Sequence, residues 1–372
     1  VIKFVDPCLV DFHEVKDEIE TSFDTKWLTN GIYVGALEKK FAKKFLMCES
    51  HVVCVSSATT GLMLSARLLL NRYIESIKTQ KDKEVEMPNV ALSAISFMAT
   101  VSSVLWNGGW CNFVDVDYKT WNICESEYCM GDVKFDWAVR THLFGNPCKA
   151  NRTGEMLEIP TIYDCAHALG SYYLDNSLFK KGDFHVFSLG MQKLLPCGEG
   201  GIVVCKEKED AVKIKRMLNY GNDNAWDSPI VGMNGKMQEL NAIIGLRLLD
   251  DLDTIIGKRR IMSIAYDEMA REFGFVPQRT NGSGVCLTYF VVRVIEKKFG
   301  MSADVLRGRL MEIGIDTRRM YPVPANKLKM LNGKGQKCPI AEALSDEFLA
   351  FPFDVTVEEG REIHDAIRRI KR

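Results

Sequence analysis

Short apolar runs alternate with helical stretches over the first two-thirds of the chain. Val52–Val55, Glu84–Met87, Cys111–Val114, Trp137–Thr141, Thr161–Tyr163, His185–Phe187 and Gly201–Cys205 read as strands. Val, Ile, Phe and Tyr dominate most of them, and Gly, Pro, Asp or Asn often bound them. A helix pattern runs from about Thr59 to Lys78, with Leu62, Ala66, Leu69 and Leu70 at helical spacing. The uncharged stretch Val90–Trp106 is rich in Ser and Thr and falls short of a membrane span; it reads as a buried helix with its lead-in. Such alternation predicts an α/β fold with a mostly parallel, doubly wound sheet covered on both faces.

Near Glu239 the texture changes. A helical run from Met237 to about Arg271 carries Leu240, Ile243, Ile244, Leu248, Leu252 and Ile255. It is suited to connecting a large domain, residues 1–245, to a smaller α+β domain, residues 246–372. In the latter, Val285–Val294 reads as a strand, and Ala303–Ile313 and Glu358–Ile370 as helices. The Lys- and Gly-rich segment Asn326–Lys337 reads as a mobile surface loop.

Composition narrows the function classes. The 372 residues suffice for about two domains with a real core. Lys+Arg 48 against Asp+Glu 49 gives a net charge of −1, which argues against a nucleic-acid partner held by phosphate neutralisation. An anionic ligand must then be held by local donors. Twelve cysteines are spread through the chain, no C-x-x-C pair occurs, and no Cys/His spacing matches a metal site. Cys54, Cys111, Cys205 and Cys286 sit inside apolar runs and read as small buried hydrophobes in a reducing compartment. The opening residues do not read as a secretory signal, so a soluble, cytoplasmic protein without membrane partners is expected.

Three segments carry candidate chemistry. In Val53–Gly61 a strand gives way to Ser57-Ala58-Thr59 at a helix start, where free backbone N–H groups form an anion cradle. The same residues also read as an ordinary Ser/Thr helix cap. Asp164 ends an apolar strand, where open α/β sheets bind ligands, and a buried carboxylate there needs a partner such as a protonated ring nitrogen. It serves equally as a cap for the next helix, and His167 as a satisfied core histidine. Lys193, flanked by Met191, Gln192, Leu194 and Leu195, is poorly solvated, which favours the neutral nucleophile a Schiff-base lysine requires. A snorkelling surface lysine is the competing reading. In this order, cradle, carboxylate and lysine are the parts that a pyridoxal-phosphate enzyme needs. Phe97 is the candidate for the aromatic face over the ring.

These segments resemble the DegT–StrS family of nucleotide-sugar aminotransferases, which has the fold type I architecture of aspartate aminotransferase. The likeness spans nearly the whole chain. It rests on Trp27-Leu28-Thr29-Asn30-Gly31, Ser57–Leu62, Phe113–Asp117, His142-Leu143-Phe144-Gly145, Asp164–Gly170, Ser188 with Lys193, Gly198–Gly201, Asn219-Tyr220-Gly221, and Gly232–Met237 with Glu239. The resemblance implies Lys193 as the Schiff-base lysine and proton carrier, and Asp164 as partner of the pyridine nitrogen. It implies Phe97 stacked on the ring and His167 near the phenolic oxygen. Ser57, Ala58, Thr59 and Ser188 would hold the phosphate, and Asn234 would reach the phosphate of a neighbouring subunit's cofactor, giving a homodimer with shared active sites. Thr29 and Tyr321 are candidates for the sugar side of the pocket.

The implied reaction moves an amine from L-glutamate to a nucleotide-linked keto-sugar, in the first place a 4-keto-6-deoxyhexose. A 3-keto-sugar or cyclitol acceptor is the alternative within the family; a non-catalytic cofactor-binding regulator and another fold type I enzyme are the alternatives outside it. Deoxygenating relatives carry His in place of the lysine, so Lys193 points to transamination. Gly190 stands where many relatives have His, a departure that bears on the sugar pocket.

Overall fold

Seven short apolar segments pair into one sheet. They are β1 (Val52–Val55), β2 (Asn89–Ser93), β3 (Trp110–Val114), β4 (Trp137–Thr141), β5 (Thr161–Asp164), β6 (Phe184–Ser188) and β7 (Gly201–Cys205), in the order β1-β7-β6-β5-β4-β2-β3. The pairs β3–β2, β2–β4, β4–β5 and β5–β6 are parallel, while β7 runs antiparallel to β6 and β1. The carboxyl ends of β1, β2, β5 and β6 therefore share one edge with the start of β7. The computed structural model describes residues 1–372 except 46, 80–85, 127–132, 149–158, 173–180, 224–226 and 281–283.

Helices cover both faces of the sheet, which is why β1, β4, β5 and β7 are buried along their whole length rather than alternately. The helices used below are α1 (Lys16–Asp24), α2 (Ile32–Lys44), α3 (Ala58–Lys78), α4 (Met98–Leu105), α5 (Lys208–Met217), α6 (Glu239–Phe273), α7 (Ala303–Glu312), α8 (Pro339–Glu347) and α9 (Val357–Lys371). α3 lies directly on the sheet. A Cβ at Gly61 would come within 2.8 Å of both Val186 Cγ1 and Val203 Cγ2, so glycine sets the close approach. Asp210 of α5 and Asp183 before β6 both bind Arg72 of α3, fixing its outer half.

The 35-residue α6 begins at the large sheet and ends beside a second one. Its first residue, Glu239, is buried and accepts three backbone N–H groups at the start of α2, from Gly31 (2.8 Å), Tyr33 (2.9 Å) and Val34 (3.1 Å). A carboxylate on the free amides of a helix start satisfies both partners. The second sheet is antiparallel, with β8 (Val276–Pro277), β9 (Phe290–Arg293), β10 (Arg318–Arg319) and β11 (Phe348–Phe351) in the order β10-β11-β9-β8. α6, α7 and α9 pack their apolar faces on it through Met262, Tyr266, Leu306, Leu310, Ile363 and Ile367.

Four expectations need restating. Val90–Trp106 is not one helix with a lead-in: its first residues form β2, between β3 and β4, and only Met98–Leu105 is helical. Apolarity alone does not separate a buried strand from a buried helix. The neighbouring strand expected over Glu84–Met87 starts outside the described residues, and Met87 itself is not in a strand. Val285–Val294 is a strand only over Phe290–Arg293; the preceding residues cross to the large sheet, where Thr288 N–H donates to Phe144 O (3.0 Å) and Thr288 Oγ1 to His167 O (2.7 Å). The segment Asn326–Lys337 is packed rather than loose. Asn326 and Leu331 are buried, Asn326 Nδ2 donates to Gln336 O (2.9 Å), and Gln336 Oε1 accepts the Phe113 N–H of edge strand β3 (2.9 Å). Its lysines face solvent while its uncharged residues close the sheet edge.

Of the described cysteines, eight are buried, including Cys54, Cys111, Cys205 and Cys286, and none forms a disulfide. No helix among the described residues is long and apolar enough to cross a membrane.

Candidate active site

The site lies at the carboxyl edge of the large sheet. β1 ends at Val55 and α3 begins at Ala58, so only Ser56 and Ser57 separate strand from helix. Ser57 is extended (φ −163°, ψ 160°) and caps α3, its Oγ accepting the Thr60 N–H at 3.1 Å. The amides of Ala58 and Thr59 find no acceptor among the described residues. Gly201, opposite both Val55 and Ser188 in the sheet, passes immediately beneath this turn. A Cβ on it would lie 2.6 Å from Ala58 N and 2.8 Å from Ser57 O. The Ser188 hydroxyl occupies the same corner and accepts the Gly190 N–H at 3.4 Å. Two free amides at the positive end of a 21-residue helix, with hydroxyls beside them, make an anion cradle.

Asp164, the last residue of β5, is 3 % exposed. Its Oδ2 accepts from Thr100 Oγ1 at 2.7 Å and its Oδ1 from the Ala166 N–H at 3.1 Å. No ion pair reaches it among the described residues. Burial raises its carboxyl above the usual range, against the pull of Thr100, Ala166 and the positive charge of Lys193. The fold thus maintains a buried carboxylate with two neutral donors and room for a cationic one. Lys193 follows β6 on a tight turn, its N–H donating to Gly190 O at 2.9 Å. Its Nζ lies 5.6 Å from the centre of the Tyr289 ring. Burial lowers this lysine to about 8, with the Asp164 charge acting in the opposite direction.

Aromatic rings wall the site. His167 Nδ1 accepts the Phe144 N–H at 3.2 Å, so the neutral ring keeps its proton on Nε2, where it is a donor only. Burial first, and Lys193 second, hold His167 well below its ordinary value, so the ring stays neutral. The Phe144 ring lies parallel to His167 (6.0 Å, 11°), and Tyr289 meets His167 edge-on at 5.1 Å. Phe144 (φ 57°) and Tyr321 (φ 49°) both adopt the left-handed conformation, which costs a bulky residue about 1–3 kcal/mol. Their rings pack 5.8 Å apart. Burial raises the Tyr321 hydroxyl well above its usual range, and the Asp164 charge adds to it.

Asp164, His167, Lys193 and Tyr321 are thus brought together, with Ser57, Ala58 and Ser188 at the adjoining corner. Thr59 is exposed at the helix start. Phe97, 53 % exposed, is the extended residue just before α4 and stands three residues before Thr100, so its ring is free to cover a ligand beside Asp164. Thr29 bridges to Gln238, and Asn234 bridges to Asn219; both are exposed, and neither hydrogen-bonds to Asp164, His167 or Lys193. Asn234 does precede Gly235, whose carbonyl accepts the Ser56 N–H at 2.8 Å beside the cradle. Gly190 leaves space, since a Cβ there would meet nothing nearer than Ser188 Oγ at 3.6 Å. Sequence reasoning missed Thr100, Phe144 and Tyr289. Thr100 sits one helical turn after Phe97, a spacing that could have exposed it; Phe144 was only part of a motif, and Tyr289 carried no signal. Among the described residues no cluster of His, Cys, Asp and Glu could hold a metal ion.

The sequence pattern of the DegT/DnrJ/EryC1/StrS aminotransferase family matches residues 11–368. The chain belongs to this family. It is an enzyme by that membership, and the resemblance seen in its motifs is borne out. Among its relatives is a dTDP-4-amino-4,6-dideoxy-D-glucose transaminase of Shigella dysenteriae, 29 % identical over 98 % of each chain. The crystal structure of DesI in the presence of its TDP-sugar product superposes with a TM-score of 0.85 at 25 % identity, over 100 % of this chain and 92 % of DesI. A putative sugar aminotransferase of Streptococcus pneumoniae, solved in a PMP-form, shares the fold with a TM-score of 0.85 at 21 % identity, covering 100 % and 97 %. The mixed α/β architecture is that of these aminotransferases.

Proposed function

We propose that the protein is a pyridoxal-phosphate-dependent aminotransferase that moves an amine from L-glutamate to a nucleotide-linked 4-keto-6-deoxyhexose. The observation that carries this reading is a buried Asp164, with no ion-pair contact among the described residues, within electrostatic reach of a lysine whose proton affinity is depressed, next to a cradle of amides without acceptors among the described residues. The donor set suits the cofactor at each end: amides of Ala58 and Thr59 and hydroxyls of Ser57 and Ser188 for the phosphate, Asp164 for the ring nitrogen, Lys193 for covalent attachment. Phe97 would cover one face of the ring. Asn234 would serve the phosphate in a second subunit of a homodimer, and Thr29 and Tyr321 the sugar.

When bound, pyridoxal phosphate supplies a conjugated ring that takes up the electron pair left when a proton departs the donor's α-carbon. The residues of the chain do the rest. Asp164, whose charged form Thr100 and Ala166 favour against burial, would hold the proton on the ring nitrogen. Lys193 Nζ, neutral more readily than an ordinary lysine, would accept the donor's α-proton and return it two atoms away, on the far side of the nitrogen, as the 1,3-shift of transamination requires. His167 Nε2–H would donate to the oxygen on the cofactor ring. The Tyr289 ring lies over Lys193 Nζ, and Phe144 packs against both Tyr289 and Tyr321. A thymidine-linked sugar fits the names of the Shigella relative and of DesI. Residues 1–245 hold the cofactor in this reading and residues 246–372 form the smaller domain, and the buried free cysteines suit a reducing cytoplasm.

The test is amine transfer. The purified protein, given pyridoxal phosphate, L-glutamate and a dTDP-linked 4-keto-6-deoxyglucose, is expected to form the amino sugar and 2-oxoglutarate in equal amounts. Turnover with UDP- or GDP-linked or 3-keto acceptors instead would correct the substrate. No amine transfer to any keto-sugar or cyclitol would overturn the reading.

A further inference from the structure

The far edge of the large sheet carries an apolar and basic face that the fold leaves open. β3 is the edge strand opposite β1, whose end bears the anion cradle. The turn from α4 into β3 is Trp106-Asn107-Gly108-Gly109-Trp110. It is firmly tied down. Asn107 Nδ2 donates to Ser103 O (2.8 Å) and Met63 O (3.0 Å), and the Gly109 N–H to Val104 O (3.0 Å). A Cβ on Gly109 would lie 2.8 Å from Val104 Cγ1, so the turn is pressed onto its helix. Trp106 is nevertheless 78 % exposed, and Leu105 and Trp110 are exposed beside it. A fixed turn thus presents two indole rings to solvent, although such rings are ordinarily well buried.

The lysine-bearing segment of residues 326–337 borders this turn. Met330 Sδ lies 3.9 Å from Ser102 Oγ on α4, and Lys334 Nζ 5.4 Å from the centre of the Trp110 ring. Lys327 pairs with Glu342 at 3.2 Å. Lys329, Lys334 and Lys337 are exposed, with no carboxylate partner among the described residues. Neither residues 90–114 nor residues 326–337 include an acidic residue. Asp136, just before β4, is turned onto the Asn89 N–H at 2.7 Å. The face is therefore apolar at its centre and positive around it.

We propose that this face docks the protein on a membrane surface rich in anionic lipid. Exposed indoles flanked by lysines match a layer that is negative outside and apolar beneath. The rings would enter the headgroup region while the ammonium groups stay on the phosphates. Trp106 projects from a turn and lines no groove, which suits a deformable layer better than the matched surface of a folded partner. A second subunit completing the active site leaves the face open. Gly235, next to Asn234, meets Ser56 at the end of β1, on the opposite edge of the sheet. The contact is peripheral, since no helix among the described residues can span a bilayer. It revises the expectation of no membrane partner, which followed from the lack of a spanning segment and a secretory signal. It is independent of which sugar the enzyme aminates.

The test uses the cofactor-loaded protein and vesicles of phosphatidylcholine, alone or mixed with phosphatidylglycerol. Wild type is expected to co-sediment with the mixed vesicles, to ignore the neutral ones and to be released by salt. Trp106→Ser combined with Trp110→Ser should weaken partitioning about 10-fold or more. Lys329→Gln, Lys334→Gln and Lys337→Gln together should weaken it about 100-fold. Brominated lipid should quench tryptophan emission in wild type and much less in the serine variant. All these side chains are exposed, so the variants should melt as wild type does. No co-sedimentation of wild type, or equal binding to neutral vesicles, overturns the proposal. So does unchanged binding in either folded variant. A serine variant whose oligomeric state differs from wild type by light scattering overturns it too, since the face would then be a contact between copies of the chain.

Discussion

The depressed proton affinity of Lys193 has a direct kinetic consequence. An ordinary lysine titrates at 10.5, while burial brings this one to about 8. At pH 7 roughly one Lys193 in ten is neutral, against roughly one in 3000 for an ordinary lysine, a gain of about 300-fold in the form that attacks a carbonyl. The rate at which apoprotein captures pyridoxal phosphate should therefore rise about tenfold per pH unit up to a bend near 8, and flatten above it. Stopped-flow absorbance over pH 6–10 reads this directly. Asp164 opposes the lowering, because its negative charge favours the protonated amine. Replacing it in Asp164→Asn removes that charge and should move the bend to lower pH. A rate that keeps climbing past pH 9, or a bend that moves upward in Asp164→Asn, would refute the reasoning.

Three further outcomes follow from named contacts. Thr100→Val removes the shorter of the two protein donors on Asp164, about 1.5–3 kcal/mol of support for the charged carboxylate. Its carboxyl should then rise further, so the acid limb of the activity profile should move to higher pH, and the melting temperature should fall at pH values where the carboxylate is charged. Gly201→Ala forces a methyl to within 2.6–2.8 Å of backbone atoms of Ser57 and Ala58. It should cost about 1–3 kcal/mol in denaturant titration and weaken phosphate-bearing cofactors more than pyridoxal. Glu239→Gln leaves one acceptor oxygen and an NH2 group facing three amides. It should destabilise the protein by about 2–4 kcal/mol in the same assay, with the cofactor attachment rate preserved.

The strands of the large sheet were legible because their β-branched and aromatic runs are bounded by turn residues, and β4 and β7 match their expected bounds to the residue. β2 was not, because Asn-Val-Ala-Leu-Ser lacks that enrichment and continues without a charge into α4. Asp164 and Lys193 stood out only in combination, since position alone left a helix cap and a surface lysine open; the structure buries the carboxylate and depresses the lysine's proton affinity. Thr100, Phe144 and Tyr289 were not. A hydroxyl that supports a carboxylate 64 residues away, or a ring brought in from the second sheet, leaves no local periodicity. The surface segment Asn326–Lys337 was misjudged for a related reason: composition reports where its lysines point, not where its asparagine and glutamine pack.

The central claim is that Lys193 is the covalent anchor of the cofactor, and chemical trapping tests it most directly. The protein is incubated with pyridoxal phosphate, reduced with borohydride, digested and mapped by mass spectrometry. The account predicts one pyridoxyl-modified peptide, containing Lys193, and its absence in a folded Lys193→Ala variant. Modification of a different lysine, or none in the wild-type protein at saturating cofactor, would contradict it.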